Sequence, residues 1–205
     1  GETLTMEEML YGLLLRSGND AAVAIAEHVA GSVEDFAARM NARAAELGAD
    51  AHFENPHGLD ADGHEASALA LARIFRQAMQ NGDFRRITGT QKATIPWVGN
   101  DFSRVLVSKN RLLTTYAGAT GGKTGYTSDA GRCLVFSAER EGMELIGVVL
   151  GCPNWFDEAG RMLDWGFANY RMEAPLAAGD VACKPAVEGG MAGTVTAVAE
   201  SGLAA

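Results

Sequence analysis

The sequence predicts an α+β protein in which a helical cluster packs on an antiparallel sheet and a small β-rich segment follows. Three observations predict this class. Apolar residues recur at helical spacing through residues 5–79. Three apolar segments joined by short turns then fill residues 122–150. The alternation of strands and helices that builds a parallel sheet is absent from the sequence.

Four helices are predicted ahead of the sheet, each from an apolar stripe at helical spacing. They cover residues 5–15, 19–30, 33–47 and 67–79. Thr5 and Glu8 have the spacing of a capping box at the start of the first helix. Asn19 and Asp20 can cap the second helix through their side-chain oxygens.

Two short strands, at residues 90–98 and 105–107, are predicted next, and an antiparallel meander of three strands follows them. The meander strands are residues 122–127, 131–138 and 143–150. Residues 128–130 and 139–142 are short enough for hairpin connections. A closing helix is predicted at residues 157–170, with an apolar face that comprises Met162, Leu163, Trp165, Gly166 and Phe167.

A change in composition divides the chain near Tyr170. Residues 171–205 are rich in Ala, Gly, Val and Pro and contain two short apolar runs. We therefore expect residues 1–170 to form one domain and residues 171–205 to begin a second, β-rich domain.

The composition argues against several classes of function. The 205 residues carry a formal net charge of −9, which argues against a nucleic-acid partner because phosphate binding needs a basic face. The three cysteines and four histidines are not spaced as metal ligands. No apolar run approaches the ~20 residues that span a bilayer. We expect no cofactor and no metal.

Two short motifs carry the functional argument because they occur together and in order. Ser17-Gly18-Asn19 lies in the break between the first two predicted helices, and Lys123-Thr124-Gly125 lies at the start of a predicted strand. Alone, the first is an ordinary turn between helices and the second an edge strand with a solvated lysine. Together they are the pair that accompanies an upstream Ser-x-x-Lys in penicillin-binding proteins and class A β-lactamases.

Over residues 1–170 the sequence resembles the low-molecular-weight penicillin-binding proteins, which are serine-type D-Ala-D-Ala carboxypeptidases. Five stretches in the order typical of that family carry the resemblance: LRSGNDAAVAIAEHVAG, NPHGLDADGHEAS, KNRLL, GATGGKTGYTSDAGRCLVFSAER and MLDWGFANY. The resemblance implies a DD-peptidase/β-lactamase-like fold and an acyl-enzyme formed on a serine. It also implies that residues 171–205 begin the small β-domain of that family.

The resemblance assigns catalytic roles to residues on both sides of a cleft. Ser17 would relay a proton to the departing amine, as a positioned acid or base does in such reactions. Asn19 would donate an amide hydrogen bond to a substrate carbonyl and hold a catalytic lysine through its side-chain oxygen. The backbone N–H of Tyr126 would form half of the oxyanion hole.

The resemblance also assigns substrate binding to the second motif. Lys123 would place positive charge along one cleft wall near the substrate carboxylate, and Thr124 would donate its hydroxyl to that carboxylate. Gly125 has no side chain, so an extended substrate could lie along the strand edge as an added strand.

The sequence departs from the family pattern in two places. No serine is followed three residues later by lysine. We expect residues 1–170 to be a catalytic domain without its N-terminal Ser-x-x-Lys segment, and this chain alone to be inactive. Many relatives carry an arginine after the third meander strand, whereas residues 152–156 contain none. Arg161 is expected to be a solvated helix residue.

Two alternative functions remain open at this stage. A class A β-lactamase would need a deacylating glutamate between the two motifs, where Glu54 and Glu65 lie. A non-catalytic relative would keep the fold as a binding module without a nucleophile.

The resemblance itself implies a bacterial enzyme that acts outside the cytoplasmic membrane. Its substrates would be peptidoglycan stem peptides ending in D-Ala-D-Ala, and β-lactams would inhibit it. The resemblance leaves open whether a C-terminal anchor associates the protein with the membrane surface.

Overall fold

The computed structural model describes residues 2–97, 99–172, 178–186 and 194–201. Residue 98, at the end of a predicted strand, and part of the predicted second domain lie outside these ranges. The helices in the described ranges are α1 (Met6–Arg16), α2 (Asn19–Ala30), α3 (Val33–Glu46), α4 (Ala68–Ala78), α5 (Gly82–Thr88), α6 (Leu112–Thr115) and α7 (Trp155–Asn169). The strands there are β1 (Ala51–His52), β2 (Glu65–Ala66), β3 (Lys92–Ile95), β4 (Arg104–Val107), β5 (Ala119–Thr127), β6 (Gly131–Arg140), β7 (Met143–Val149), β8 (Val181–Cys183) and β9 (Ala197–Val198).

The predicted capping box at the start of α1 is confirmed. The Glu8 N–H donates to Thr5 Oγ1 at 3.2 Å, and the Thr5 N–H donates to Glu8 Oε2 at 2.7 Å. The predicted cap of α2 is wrong for Asn19, because Asn19 is the first helical residue and Gly18 is the N-cap, without a side-chain hydrogen bond. Asp20 Oδ1 does accept from the Ala21 N–H at 2.9 Å in the first turn, although Asp20 lies inside the helix. The Asn19 side chain is therefore not used to cap the helix.

Helix α5 was not predicted from the sequence. Asn81 caps it by accepting from the Phe84 N–H at 3.0 Å, and Gly89 follows its last residue. Seven residues are too few for an apolar stripe to stand out. The end of α5 lies directly against β5, since a Cβ added at Gly89 would lie 2.6 Å from the Thr120 carbonyl oxygen.

Strands β5, β6 and β7 form the predicted antiparallel meander, and β5 is an edge strand within the described residues. The connection between β6 and β7 is shorter than predicted, because it consists of Glu141 and Gly142 alone. Both residues have positive φ, 52° and 79°. That conformation is typical of two-residue turns whose twist matches the strands they join.

Helices cover both faces of this sheet. Leu134 and Phe136 of β6 pack with Leu163 of α7 in one buried cluster. On the other face, a Cβ added at Gly121 would approach Thr88 at the end of α5 and Met79 at the end of α4. Because strand side chains alternate between faces, each residue of β5 faces either α7 or the helical cluster.

Only part of the predicted apolar face of α7 packs on the sheet. Leu163 is buried, and a Cβ added at Gly166 would lie 2.5 Å from Leu145 Cδ1. Met162 and Trp165 are 43% and 60% exposed, so their predicted inward orientation is wrong. A run of nearly consecutive residues spans more than one side of a helix, and all of it cannot face one core.

In the described part of the C-terminal segment, β8 and β9 pair antiparallel, with Val181 opposite Val198 and Cys183 opposite Ala197. The predicted domain boundary after Tyr170 stays a prediction. None of the helices in the four described ranges is both long enough and apolar enough to cross a membrane.

Candidate active site

The first wall of the candidate site is the junction between α1 and α2, where Ser17 adopts a left-handed conformation (φ 57°, ψ 49°). The Ser17 N–H donates to the Leu13 carbonyl at 3.0 Å, and the Gly18 N–H donates to the Gly12 carbonyl at 3.2 Å. These bonds use carbonyls that the end of a helix otherwise leaves unpaired. The Lys109 N–H donates to the Leu15 carbonyl at 3.0 Å and fixes the junction from outside the helices.

The second wall is the edge of β5. Thr88 Oγ1 donates to the Gly122 carbonyl at 2.9 Å and accepts from the Gly122 N–H at 3.2 Å, so both backbone groups of Gly122 point away from β6. Alternate residues of an antiparallel strand direct their backbone groups to the same side. The N–H and C=O groups of Thr124 and Tyr126 therefore point to the open edge beyond α5.

The side chains of the second motif lie on both faces of the sheet. Strand alternation places Lys123 and Gly125 on the face of the helical cluster, and Thr124 and Tyr126 on the α7 face. Thr124 is buried, and its hydroxyl makes no hydrogen bond with a described residue. A Cβ added at Gly125 would meet only Cys133 Cβ, at 3.9 Å, so this part of the edge is unobstructed.

A direct hydrogen bond joins the two walls. Lys123 Nζ donates to Ser17 Oγ at 2.5 Å and to the Thr124 carbonyl at 2.6 Å. Ser17 and Lys123 are 106 positions apart in the sequence. The fold thus brings together the two motifs that the sequence singles out.

The Lys123 ammonium is electrostatically unfavourable where it lies. Burial, and secondarily the positive charge of Lys109, lower the pKa of Lys123 to about 8 from the usual 10.5. Desolvation disfavours the charged form of a lysine, and a nearby like charge acts in the same direction. Lys123 is therefore mostly protonated at pH 7 but loses its charge in mildly alkaline solution.

Asn19 and Asn110 lie near these walls with unused amide groups. Asn19 is exposed at the first residue of α2, and its side chain makes no hydrogen bond with a described residue. Asn110 is buried, and its Oδ1 accepts from the Leu112 N–H at 3.2 Å. Its Nδ2 has no partner among the described residues and lies beside Gly122, where an added Cβ would be 2.8 Å away.

Sequence reasoning missed two residues that shape the site, Thr88 and Lys109. Thr88 fixes the strand edge, and Lys109 lowers the pKa of Lys123. The KNRLL stretch contains Lys109 and could have drawn attention to it. Thr88 carried no signal, because a threonine at the end of an unpredicted two-turn helix looks like any solvated residue.

The glutamates that a β-lactamase would require are engaged elsewhere or exposed. Glu54 Oε1 lies 2.8 Å from His52 Nε2, and Glu65 is exposed on β2. Arg161 is exposed, as expected, and pairs with Glu158 at 3.1 Å. Among the described residues, no group of His, Cys, Asp and Glu side chains is arranged to hold a metal ion.

Comparison with known proteins shows a match to one peptidase family over most of the chain. The sequence profile of the peptidase family described as D-alanyl-D-alanine carboxypeptidase matches residues 1–154. The chain is 39% identical over 174 residues to the D-alanyl-D-alanine carboxypeptidase DacF of Bacillus subtilis. It is 41% identical over 177 residues to DacB2 of Mycobacterium tuberculosis. These alignments cover 83% and 82% of this chain but 44% and 60% of the relatives, so the chain spans about half their length.

Solved structures show the same fold. The crystal structure of a D-alanyl-D-alanine carboxypeptidase from M. tuberculosis H37Rv matches with a TM-score of 0.76 and 40% identity, covering 83% of this chain and 67% of that one. A mutant of the Streptomyces K15 DD-transpeptidase matches with a TM-score of 0.76 and 33% identity, covering 80% and 69%. The predicted α+β, DD-peptidase-like fold class is confirmed.

Proposed function

Because this chain belongs to the D-alanyl-D-alanine carboxypeptidase family, we propose that the whole protein is a serine carboxypeptidase that removes the terminal D-Ala from peptidoglycan stem peptides. The observation that carries the proposal is the 2.5 Å contact between Lys123 Nζ and Ser17 Oγ beside an open strand edge. It brings a cation, a hydroxyl and unpaired backbone groups to one place, as acyl transfer to a peptide carbonyl requires.

The nucleophile in this proposal is a serine outside these 205 residues, since no Ser-x-x-Lys occurs within them. That serine attacks the carbonyl of the D-Ala-D-Ala bond and forms an acyl-enzyme, and the terminal D-Ala leaves as a free amine. Ser17 passes a proton to the departing nitrogen, with its hydroxyl oriented by Lys123. Water then hydrolyses the acyl-enzyme.

The described residues position the substrate in this scheme. The Tyr126 N–H supplies half of the oxyanion hole, because it points to the open edge of β5. Asn19 donates its free amide to a substrate carbonyl. Gly125 lets the peptide lie against the edge, Thr124 donates its hydroxyl to the terminal carboxylate, and Lys123 holds positive charge nearby.

The same proposal covers the domains, the inhibitors and the location of the protein. Residues 1–170 form the catalytic domain, without its Ser-x-x-Lys segment, and residues 171–205 begin a β-rich domain to which β8 and β9 belong. β-Lactams acylate the same serine. The protein works outside the cytoplasmic membrane, where its substrate is, and membrane attachment would depend on an anchor beyond these residues.

The test uses the whole protein, incubated with labelled penicillin and separately with a peptide ending in D-Ala-D-Ala. We expect a long-lived covalent adduct and release of D-Ala. The release should decline as the pH rises through about 8, because Lys123 loses its proton there. After proteolysis, mass spectrometry should place the adduct on a serine outside the 205 residues.

Three results would contradict the proposal in different ways. Rapid turnover of penicillin without D-Ala release would favour a β-lactamase. Absence of both adduct and D-Ala release would favour the non-catalytic binding module. An adduct on a residue within the 205 would show that the nucleophile is misassigned.

A further inference from the structure

Strand β5 is irregular just before the residues that form the candidate site. The register of the β5–β6 ladder shifts between Ala119 and Gly121, and regular pairing resumes with Gly121 opposite Ser137. A shift of this kind disrupts the ladder locally. Because strand side chains alternate between faces, a slip of one residue beyond it would turn Lys123 to the α7 face, away from Ser17. The position of Lys123 therefore depends on what fixes the register after the irregularity.

The hydroxyl of Thr88 takes the place of a neighbouring strand at this point. Thr88 Oγ1 donates to the Gly122 carbonyl at 2.9 Å and accepts from the Gly122 N–H at 3.2 Å. One hydroxyl can do both because it carries a donor hydrogen and two acceptor lone pairs. Since both backbone groups of Gly122 are held on the outer side, those of the next residue, Lys123, are directed to Val135 of β6. The register of Lys123 is thus tied to Thr88.

The methyl group of Thr88 packs on the same stretch of strand. A Cβ added at Gly121 would lie 2.6 Å from Thr88 Cγ2, and one added at Gly89 would lie 2.6 Å from the Thr120 carbonyl oxygen. Contacts this short leave no room for a side chain at either glycine. Thr88 itself is only 2% exposed, so its hydroxyl and its methyl group both act inside the protein.

Helix α5, which carries Thr88, is also anchored on β7, the strand at the other end of the three-stranded sheet. Arg85 Nη1 and Nη2 donate to Glu144 Oε1 and Oε2 at 2.8 and 2.7 Å. Glu144 Oε1 also accepts from Thr120 Oγ1 at 3.0 Å. A bidentate pair of an arginine and a carboxylate fixes orientation as well as distance. The helix that presents Thr88 to β5 is therefore oriented by a second, separate contact with the sheet.

We propose that Thr88 is a positioning residue of the proposed reaction and that it acts by fixing the register of β5 through Gly122. This inference rests on the function proposed above. Fixing the register places Lys123 on the face where its ammonium donates to Ser17 Oγ at 2.5 Å. It also turns the Tyr126 N–H to the open edge, because Tyr126 is four residues beyond Gly122 and backbone direction repeats at every second residue. A hydroxyl outside the site thus places both the cation and the oxyanion donor.

The test compares kcat/KM of whole-protein variants for a peptide ending in D-Ala-D-Ala, with each rate referred to the folded fraction that urea unfolding gives. Thr88→Val should lower kcat/KM about 10- to 100-fold, because valine keeps the shape of threonine without the hydroxyl and small displacements of catalytic groups cost this much. Thr88→Ser should keep most of the activity, since it retains the hydroxyl. Thr88→Ala differs from Thr88→Ser by the hydroxyl alone and should be as impaired as Thr88→Val. This second pair decides the question even if Thr88→Val does not fold.

Thr90→Val is the matched control, because Thr90 Oγ1 donates to the Arg86 carbonyl at 2.8 Å, within the end of α5. It should change kcat/KM less than about threefold, since it leaves the bonds to Gly122 intact. A second readout is independent of activity. Hydrogen exchange, followed by mass spectrometry on peptides that contain Gly122, should accelerate in Thr88→Ala but not in Thr88→Ser or Thr90→Val, because the Gly122 N–H loses its acceptor.

Three results would contradict the inference. Equal losses of activity in Thr88→Ser and Thr88→Ala would show that the methyl group matters and the hydroxyl does not. Equal losses in Thr88→Val and Thr90→Val would show that Thr88 only stabilises the end of α5. An active wild type with an unchanged Thr88→Ala variant would show that the ladder fixes the register without Thr88. An inactive wild type would instead refute the function beneath the inference, while the exchange of Gly122 would still report whether Thr88 holds the strand.

Discussion

The two walls of the candidate site obtain their shape by different physical means. The helical wall depends on one residue, Ser17, held in a left-handed conformation by backbone hydrogen bonds at the end of α1. The sheet wall depends on the β5–β6 ladder, whose register shifts between Ala119 and Gly121, and on a closely packed core in which Phe136 is fully buried against Gly147. Local strain therefore forms one wall and distributed packing forms the other.

This difference shows where each wall is sensitive to change. A substitution on the helical wall should act through the backbone conformation of the substituted residue itself. On the sheet wall, a substitution on β7, two strands from the open edge of β5, should act through the side chains packed between it and that edge. The Lys123–Ser17 hydrogen bond is the contact at which the two walls meet, and it holds an ammonium that burial disfavours.

Removing this contact should have the largest effect. We expect Lys123→Met in the whole protein to lower kcat/KM for the D-Ala-D-Ala peptide about 10²- to 10³-fold, the range found when one preorganised electrostatic group is lost. The free energy of unfolding at pH 7 should not fall, because methionine fills a similar volume without burying a charge. Steady-state kinetics and urea unfolding measure the two effects.

The difference in unfolding free energy between Lys123→Met and the wild type should depend on pH, because Lys123 binds its proton with different affinity in the folded and unfolded states. In the folded protein the pKa of Lys123 is about 8, against 10.5 for an ordinary lysine, so between these values the unfolded chain binds the proton more tightly. Wild-type stability therefore rises with pH through this window, and the stability advantage of Lys123→Met over the wild type should be greatest below pH 8.

Lys92→Met, at an exposed position on β3, is the control and should change neither activity nor stability. A large loss of stability in Lys123→Met would show that the ammonium is needed to hold the walls together.

On the sheet wall, we expect Gly147→Ala to destabilise the protein by about 1–3 kcal/mol, the usual effect of overpacking a core. A Cβ at this position would lie 2.2 Å from Cζ of the Phe136 ring, which is fully buried. Urea unfolding measures the change in the free energy of unfolding. Gly160→Ala on α7 is the matched control, since its nearest neighbour, Tyr116 Cδ2, would be 3.8 Å away. The control should gain about 0.5–1 kcal/mol from helix propensity, and similar changes in both variants would contradict a tightly packed core.

The sheet wall was largely predictable from the sequence, because its strands are marked by β-branched and apolar residues between obvious turns. Residues 122–127 were predicted as a strand, and the structure extends that strand to Ala119–Thr127. The pairing of Lys123 with Ser17 was suggested by the order of two motifs but not by any local pattern. A contact between positions so distant in sequence depends on the whole topology.

The helical wall was less predictable, because its shape depends on backbone geometry that many sequences would allow. Asn19 was predicted to cap α2, yet the structure makes Gly18 the cap and leaves the Asn19 amide free. The left-handed conformation of Ser17 was not predicted at all, since glycine is the residue that usually marks such a position and here Gly18 follows it. The orientation of Trp165 on α7 was wrong because periodicity cannot rank adjacent apolar residues.

The smallest expected effect is a difference in stability between two variants of Ser17. It separates the backbone strain at this residue from the function of its hydroxyl. Ser17→Gly and Ser17→Ala both remove the hydroxyl that accepts from Lys123, so both should lose activity to a similar degree. Only glycine adopts positive φ without a steric penalty, whereas alanine retains the strain of φ 57°. We expect Ser17→Gly to be more stable than Ser17→Ala by about 0.5–1 kcal/mol, after allowance for the greater freedom of glycine in the unfolded chain.

This comparison isolates strain because the two variants differ by a single methyl group at a half-buried position. If Ser17→Ala is as stable as Ser17→Gly, the left-handed conformation carries no measurable strain, and the helical wall is held by packing like the sheet wall. If Ser17→Gly is more stable and equally inactive, serine is retained at a strained position for its hydroxyl. That outcome would show that the helical wall carries a destabilising conformation because the Ser17 hydroxyl is needed for activity. On the sheet wall, by contrast, the same packing stabilises the protein and shapes the site.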